Sequence, residues 1–152
     1  MPKFRLSGLV AYVMMFALPM TSAQAQATDF GPASLDRVNA ARAKSGRGAI
    51  TLSPKLTRAA AAHARDMAEN RYFGHTGANG SSIGDRVGRQ QYRFCFVAEN
   101  IAKGQGTLDE VLRGWMASPG HRQNMLHKSA AEYGLVRGPG SLWVMVLGRS
   151  GC

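Results

Sequence analysis

The chain has 152 residues and a formal net charge of +10, with 19 Lys and Arg against 9 Asp and Glu. This length fits one domain, and a content of 45% hydrophobic and 18% charged residues excludes a disordered polyelectrolyte. Two cysteines are too few for a disulfide-knot scaffold or an all-cysteine zinc site. The excess positive charge indicates an anionic partner, for which nucleic acid is the first candidate.

The N-terminal segment predicts export. Lys3 and Arg5 precede an uncharged apolar run over residues 9–18, and two Ala-Gln-Ala triplets follow it. This order is typical of a cleavable signal peptide, here over residues 1–27, whereas a buried N-terminal helix is the alternative. The run is too short to span a bilayer, and no other stretch is a membrane-span candidate. We therefore expect a secreted or periplasmic protein without a transmembrane segment.

Export changes the first interpretation of the charge. Loss of Lys3 and Arg5 with the signal peptide lowers the formal charge from +10 to +8. An exported chain without a recognisable nucleic-acid-binding motif has no nucleic-acid partner, so an anionic component of the cell envelope replaces it. The mature chain is predicted to be a short linker over residues 28–33 and one domain over residues 34–152, and we expect a monomer.

The two cysteines are Cys95 and the last residue, Cys152. An even pair in an oxidising compartment predicts one intramolecular disulfide, which would tie the segment before Glu99 to the end of the chain. Two free thiols, or an intermolecular bridge through Cys152, are the alternatives.

Capping signals and apolar spacing predict five helices. Ser82 and Thr107 each begin a capping box, and Pro follows Ser at positions 53–54 and 118–119, as is typical of a helix start. The predicted helices lie around residues 35–42, 54–70, 83–90, 108–116 and 119–126.

Three strand-like runs lie between the helices, at residues 96–102, 133–136 and 142–147. The last run is apolar on both faces, so helices should cover it on both sides. A Gly-Pro-Gly turn at residues 138–140 predicts an antiparallel hairpin between the second and third strands. The predicted fold class is therefore α/β, a three-layer α-β-α sandwich with a small, mainly antiparallel sheet.

Three polar residues stand out by position. His75 follows the end of a predicted helix, Glu99 interrupts an apolar strand, and His121 lies in the first turn of the last helix. A carboxylate in an apolar strand is costly unless it is paired or ligating, and two imidazoles with one carboxylate form a common divalent-metal set. Their spacing matches no short metal motif, so three separate structural roles remain an alternative.

The remaining histidines and the tryptophans have simpler interpretations. We expect His63 and His127 on exposed helix faces. Trp115 and Trp143 lie in apolar periodic contexts, which indicates core positions.

Four segments together identify a family. They are Gly-His-Thr at 74–76, Ala-Glu-Asn-Ile-Ala at 98–102, Gly-Trp-Met-Ala-Ser-Pro-Gly-His-Arg-Gln-Asn-Met-Leu at 114–126 and Glu-Tyr-Gly-Leu at 132–135. In combination they resemble the CAP superfamily (cysteine-rich secretory, antigen 5 and pathogenesis-related-1 proteins) in its compact bacterial form. The resemblance covers about residues 34–149 and implies an α-β-α sandwich.

The resemblance also implies a site. In that family two His and two Glu line a central cleft that is described as binding divalent metals in several members. His75, Glu99 and His121 match three of these positions, whereas Ser118 stands at the position of the second Glu, so the set is incomplete.

Three polar neighbours are expected to support this cleft. Asn100 would hydrogen-bond across the cleft or orient Glu99, Asn124 would clamp the loop before it, and Ser118 would lie beside the metal-binding residues.

Three function classes follow. The first is a non-enzymatic binding module whose cleft takes a divalent metal (Zn, Mg or Ca) and whose apolar surfaces take a lipid or sterol. The second is a metal-assisted hydrolase of peptidase type that uses His75, Glu99 and His121. The third is a cationic protein held by an anionic envelope component. No Ser or Cys nucleophile has a matched base, so we expect no catalysis and assign no catalytic residue.

Overall fold

The computed structural model describes residues 26–151. Nearly all of the predicted signal peptide and Cys152 lie outside this range, so the signal peptide and the Cys95–Cys152 disulfide remain predictions. The described elements, in chain order, are β1 (Thr28–Asp29), α1 (Gly31–Lys44), β2 (Thr51–Leu52), α2 (Pro54–Glu69), α3 (Ile83–Arg89), β3 (Phe94–Lys103), α4 (Leu108–Ala117), α5 (Pro119–Met125), β4 (Glu132–Gly138) and β5 (Leu142–Ser150).

The strands form one sheet in the order β1-β4-β5-β3, and β2 also pairs with β4. The pairing of β2 with β4 is parallel, whereas the others are antiparallel. A 3-10 turn at Pro139–Ser141 joins β4 to β5, which confirms the predicted hairpin. The three long strands were predicted within three residues, whereas the two-residue strands β1 and β2 were not.

Helices cover both faces of the sheet, which confirms the three-layer sandwich. Alternate side chains of β5 enter two separate cores, because successive residues of a strand point to opposite faces. Trp143, Met145 and Leu147 pack with residues of α4, including Trp115. Their neighbours in β5 pack against α2 on the other face. Both tryptophans are buried, as predicted.

Four of the five helices lie within about two residues of their predicted bounds, whereas α1 begins earlier. It begins at Gly31, and β1 precedes it, so residues 28–33 form a strand and a first helical turn where a linker was expected. The backbone N–H of Phe30 donates to the carbonyl of Leu135 at 2.8 Å, which attaches this segment to β4.

Hydroxyl groups cap only some of the helices that begin with Ser or Thr. Ser82 and Thr107 form complete capping boxes, as predicted. Ser53 and Ser118 occupy the N-cap positions of α2 and α5, but neither hydroxyl caps the helix. Both are therefore available for other contacts.

A glycine allows α2 to lie against the sheet. A Cβ atom on Gly134 in β4 would lie 2.2 Å from the backbone nitrogen of Thr57 in the first turns of α2. This close approach fixes where α2 crosses the sheet, and with it the place of His63 further along the helix. Among residues 26–151, no helix is both long enough and apolar enough to cross a membrane.

Candidate functional site

The site is built around a buried carboxylate in the middle of β3. The side chain of Glu99 is 3% exposed, and each of its oxygens has a partner. Oε2 accepts a hydrogen bond from Nη2 of Arg86 in α3 at 2.8 Å, and Oε1 accepts one from Nδ1 of His75 at 2.9 Å. The carboxylate predicted to need a partner therefore has two.

These contacts determine which nitrogen of His75 carries the proton. The carboxylate of Glu99, paired with the permanently charged Arg86, can only accept hydrogen bonds, so Nδ1 of His75 must donate. In the neutral imidazole the lone pair then lies on Nε2. The His75 side chain is 60% exposed, so the ring is accessible to a ligand.

The backbone that carries His75 is held from two sides. Nε2 of the buried His63 donates to the carbonyl of Gly74 at 2.9 Å. Nη1 of Arg86 donates to the carbonyl of His75 at 2.9 Å and to that of Ser81 at 3.0 Å. Arg86 therefore binds both the loop and the carboxylate that orients the imidazole.

The expectation for His63 was wrong. Its side chain is fully buried rather than exposed, and its Nε2 lies 3.7 Å from Oε1 of Glu99. Burial lowers the pKa of His63, while the charge of Glu99 opposes that shift. Its Nδ1 is buried without a hydrogen-bond partner among the described residues. The signal was in the sequence, because His63 lies seven residues after Leu56 and four before Met67, on the buried stripe of α2.

His127 also departs from its expected place on an exposed helix face. It follows α5, is partly buried, and its ring stacks on that of Phe96 with 4.1 Å between centroids. Its Nδ1 accepts a hydrogen bond from the backbone N–H of Ser129 at 3.1 Å. It is not part of the contacts around Glu99.

His121 approaches the site from α5. Its Nδ1 and the hydroxyl of Ser118 form a hydrogen bond of 3.0 Å, which leaves Nε2 without an intramolecular partner among the described residues. Burial lowers the pKa of His121, and a charge on His75 lowers it further. His121 makes no hydrogen bond to Glu99 in the described part of the chain.

Two asparagines fasten α5 to β3 beneath His121. Nδ2 of Asn100 donates to the carbonyl of His121 at 3.0 Å. Nδ2 of Asn124 donates to Oδ1 of Asn100 at 2.9 Å and to the carbonyl of Glu99 at 3.2 Å. Asn124 was expected to clamp the loop before α5, but it contacts the strand instead.

Among the described residues, His75 and His121 each leave Nε2 without a hydrogen-bond partner. Residues 26–151 contain no group of three or more His, Cys, Asp or Glu arranged to hold a metal ion. His75 and His121 each engage Nδ1 within the protein, which is the usual arrangement of an imidazole that ligates through Nε2. Both oxygens of Glu99 are engaged, so in this geometry it orients His75 and is not a third ligand.

The comparisons with known proteins agree with this fold. A sequence model of the CAP family (cysteine-rich secretory protein family) matches residues 35–145. The chain therefore belongs to the CAP family. The protein YkwD of Bacillus subtilis (strain 168) is 32% identical over 124 residues, which are 81% of this chain and 48% of that protein. The chain thus spans about half the length of this relative. It is also 31% identical over 101 residues to the B. subtilis membrane protein YlbC, of which it spans 29%.

Solved structures show the same fold. An extracellular protein of Bacillus anthracis that contains an SCP domain superposes with a TM-score of 0.74 at 26% identity, over 78% of this chain and 40% of that one. An outer surface protein from Borrelia burgdorferi superposes with a TM-score of 0.73 at 19% identity, over 84% of this chain and 99% of that one.

Proposed function

We propose that the chain is an exported binding module whose cleft holds a divalent cation through the Nε2 atoms of His75 and His121. The observation that carries the proposal is that both imidazoles use Nδ1 within the protein, on Glu99 and Ser118 respectively. The bond from His75 to the carboxylate fixes the tautomer and orientation of that ring, as is typical of metal-binding histidines, and the contact with Ser118 orients His121. A cation held there would offer its remaining coordination positions to water or to a donor group of a ligand.

Zinc suits these donors better than magnesium or calcium. Imidazole nitrogen is a common ligand of Zn²⁺, whereas Mg²⁺ and Ca²⁺ prefer oxygen ligands. Because residues 26–151 offer two protein ligands at this place, we expect affinity well below that of a structural zinc site with four protein ligands.

Binding has more support than hydrolysis. A metal-assisted hydrolase would need Glu99 as a ligand or as the base that accepts a proton from water. The Glu99 side chain is 3% exposed, and its two oxygens accept hydrogen bonds from His75 and Arg86. It is therefore poorly placed for either role.

Export rests on the signal-peptide pattern of residues 1–27 and on the relatives. The B. anthracis protein is described as extracellular and the B. burgdorferi protein as an outer surface protein. An envelope or extracellular location for this chain is the simplest inference from both.

A lipid or sterol ligand has less support. An apolar groove between α1 and α4 is lined by Val38, Ala41, Leu112 and Met116, and has a volume of about 220 Å³. Pockets for drug-sized ligands have volumes of about 300–1,000 Å³. The groove could take part of an acyl chain but not a whole lipid.

Calorimetric titration with zinc chloride tests the proposal. We expect one binding event in the wild type, none in His75→Ala/His121→Ala, and much weaker heats with magnesium or calcium chloride. His127→Gln is the matched control, because it removes an imidazole outside the cleft and should leave zinc binding unchanged. Equal zinc heats for the wild type and the double variant would refute the proposal.

A further inference from the structure

A second groove lies between the start of α2, the end of α3 and the paired ends of β4 and β5. It has a volume of about 1010 Å³, and the residues of interest on its walls are Ser53, Lys55, Arg58, Tyr92, Arg93 and Glu132. None of His75, Glu99 or His121 lines it. We call it the basic groove.

The basic groove is electrostatically positive. Lys55, Arg58 and Arg93 are exposed on its walls, and Glu132 is the one acidic residue among the described residues that line it. Oε2 of Glu132 accepts a hydrogen bond from the hydroxyl of Tyr92 at 2.5 Å, and burial with this contact raises the pKa of that phenol. Glu132 forms no ion pair with the three cations among the described residues, and the groove keeps a formal excess of two positive charges.

Among the described residues, Arg58 and Lys55 are each held by one hydrogen bond and keep further N–H groups free for a ligand. Nε of Arg58 donates to Oε1 of Gln90 at 3.1 Å, and Nζ of Lys55 donates to the carbonyl of Gln91 at 2.9 Å. Neither Nη group of Arg58 has a hydrogen-bond partner in the described part of the chain. These contacts hold both side chains over the groove while leaving N–H groups for a ligand.

The wall also contains a serine hydroxyl at a helix start. Ser53 is 6% exposed, lines the groove, and occupies the N-cap position of the 16-residue helix α2. Its hydroxyl does not cap the helix and has no hydrogen-bond partner among residues 26–151. A helix N-terminus favours an anion through its dipole, and the Ser53 hydroxyl beside it is free to donate to one.

We propose that the basic groove binds a phosphate group. A phosphate carries up to two negative charges and several acceptor oxygens, which suits a guanidinium, an ammonium, a hydroxyl and a helix N-terminus that meet at one place. The groove is much larger than an inorganic phosphate ion, so it also has room for a phospholipid headgroup. This site is separate from the two histidines, and the inference does not depend on metal binding.

The test measures two sources of phosphate. Inorganic phosphate is titrated into ¹⁵N-labelled protein and followed by amide chemical shifts. Co-sedimentation is measured with vesicles of equimolar phosphatidylglycerol and phosphatidylcholine, and with vesicles of phosphatidylcholine alone. We expect shifts around residues 53–58 and 88–93, and sedimentation only with the anionic vesicles if the headgroup is the ligand.

Matched variants separate the groove from net charge. Arg58→Gln/Arg93→Gln should weaken binding by at least about 10-fold, because each removes charged hydrogen bonds. Arg113→Gln/Arg122→Gln removes the same charge from exposed positions of α4 and α5 and should leave affinity unchanged. Ser53→Ala should weaken binding several-fold without unfolding the chain, because its hydroxyl makes no capping bond.

Each outcome has a defined meaning. Binding of inorganic phosphate without vesicle binding supports the site with a free phosphate as ligand, and the reverse supports a lipid headgroup. Equal losses in the two arginine double variants would overturn the proposal, because binding would then follow net charge. Absence of binding to both probes would overturn it as well.

Discussion

Arg86 and Glu99 form a buried ion pair, in which Nη2 of Arg86 lies 2.8 Å from Oε2 of Glu99 and the two side chains are 6% and 3% exposed. The same guanidinium donates to the carbonyls of His75 and Ser81. One residue of α3 therefore connects the carboxylate of β3 to the loop that carries the exposed imidazole.

Loss of Arg86 should be strongly destabilising. Arg86→Met leaves the carboxylate of Glu99 buried without a cation, and removing one partner of a buried pair typically costs about 3–5 kcal/mol. Urea denaturation measures the loss in the free energy of unfolding. Arg89→Met, at an exposed position of the same helix, should change that free energy by less than about 0.5 kcal/mol. Equal midpoints for the two variants would contradict the assigned role of Arg86.

Glu99 should affect zinc affinity indirectly. Glu99→Gln replaces the charged acceptor of His75 Nδ1, and loss of such an orienting contact typically lowers metal affinity about 10–100-fold. Calorimetry measures the change, and circular dichroism checks the fold. Glu132→Gln, which changes a carboxylate outside the cleft, should have no effect. A loss as complete as that of His75→Ala would instead identify Glu99 as a ligand.

The stability of the protein should fall in mild acid. Burial lowers the pKa of His63 below its ordinary value of 6.5. The unfolded chain then takes up a proton at a higher pH than the folded chain does, so this contribution to stability is complete above about pH 6.5. It is lost as the pH falls through the lowered pKa.

Urea denaturation at several pH values between about 7.5 and 5.5 checks this dependence. His63→Gln should flatten the slope of unfolding free energy against pH. It should not abolish the slope, because the pKa of His121 is also lowered. Ala62→Gln places the same amide on the exposed neighbour in α2 and should keep the wild-type slope. A His63→Gln slope equal to that of the wild type would contradict the prediction.

The contact between α2 and β4 should tolerate no side chain at residue 134. In Gly134→Ala the new Cβ would lie 2.2 Å from the backbone nitrogen of Thr57, so the helix must move. We expect a loss of about 3 kcal/mol or more in thermal or urea denaturation. Gly114→Ala in α4 meets no atom within 4 Å and should stabilise the helix by up to about 1 kcal/mol. If both variants changed the free energy of unfolding in the same direction, the close packing of α2 on Gly134 would be contradicted.

The sequence best predicted those elements that depend on residues close together in the chain. The capping boxes at Ser82 and Thr107 and the doubly apolar run of β5 each depend on neighbouring residues, so the helices, the hairpin and the layers were predictable. The strands β1 and β2 have two residues each and form only because β4 lies beside them. A strand of two residues is too short to show an alternation of apolar and polar side chains, so β1 and β2 could not be predicted from the sequence pattern.

The site could be predicted only in part, because sequence motifs identify some of its residues and the tertiary fold brings in the others. The family motifs gave His75, Glu99 and His121 as candidates for one cleft. Arg86 could not be found, because an Arg in a short capped helix is usually exposed, and only the tertiary fold brings it to β3. His63 carried a positional signal on the buried stripe of α2, whereas its residue type is intermediate between buried and exposed and did not decide its place.

In the proposed site, His75 and His121 present Nε2 to a cation while Nδ1 stays bonded within the protein. Long-range ¹H–¹⁵N correlation of the imidazoles, recorded before and after addition of zinc chloride, tests it most directly. We predict that the neutral His75 ring is the Nδ1–H tautomer, and that zinc shifts the Nε2 resonance of both rings. An Nε2–H tautomer at His75, or Nε2 resonances unmoved by excess zinc, would contradict the proposal.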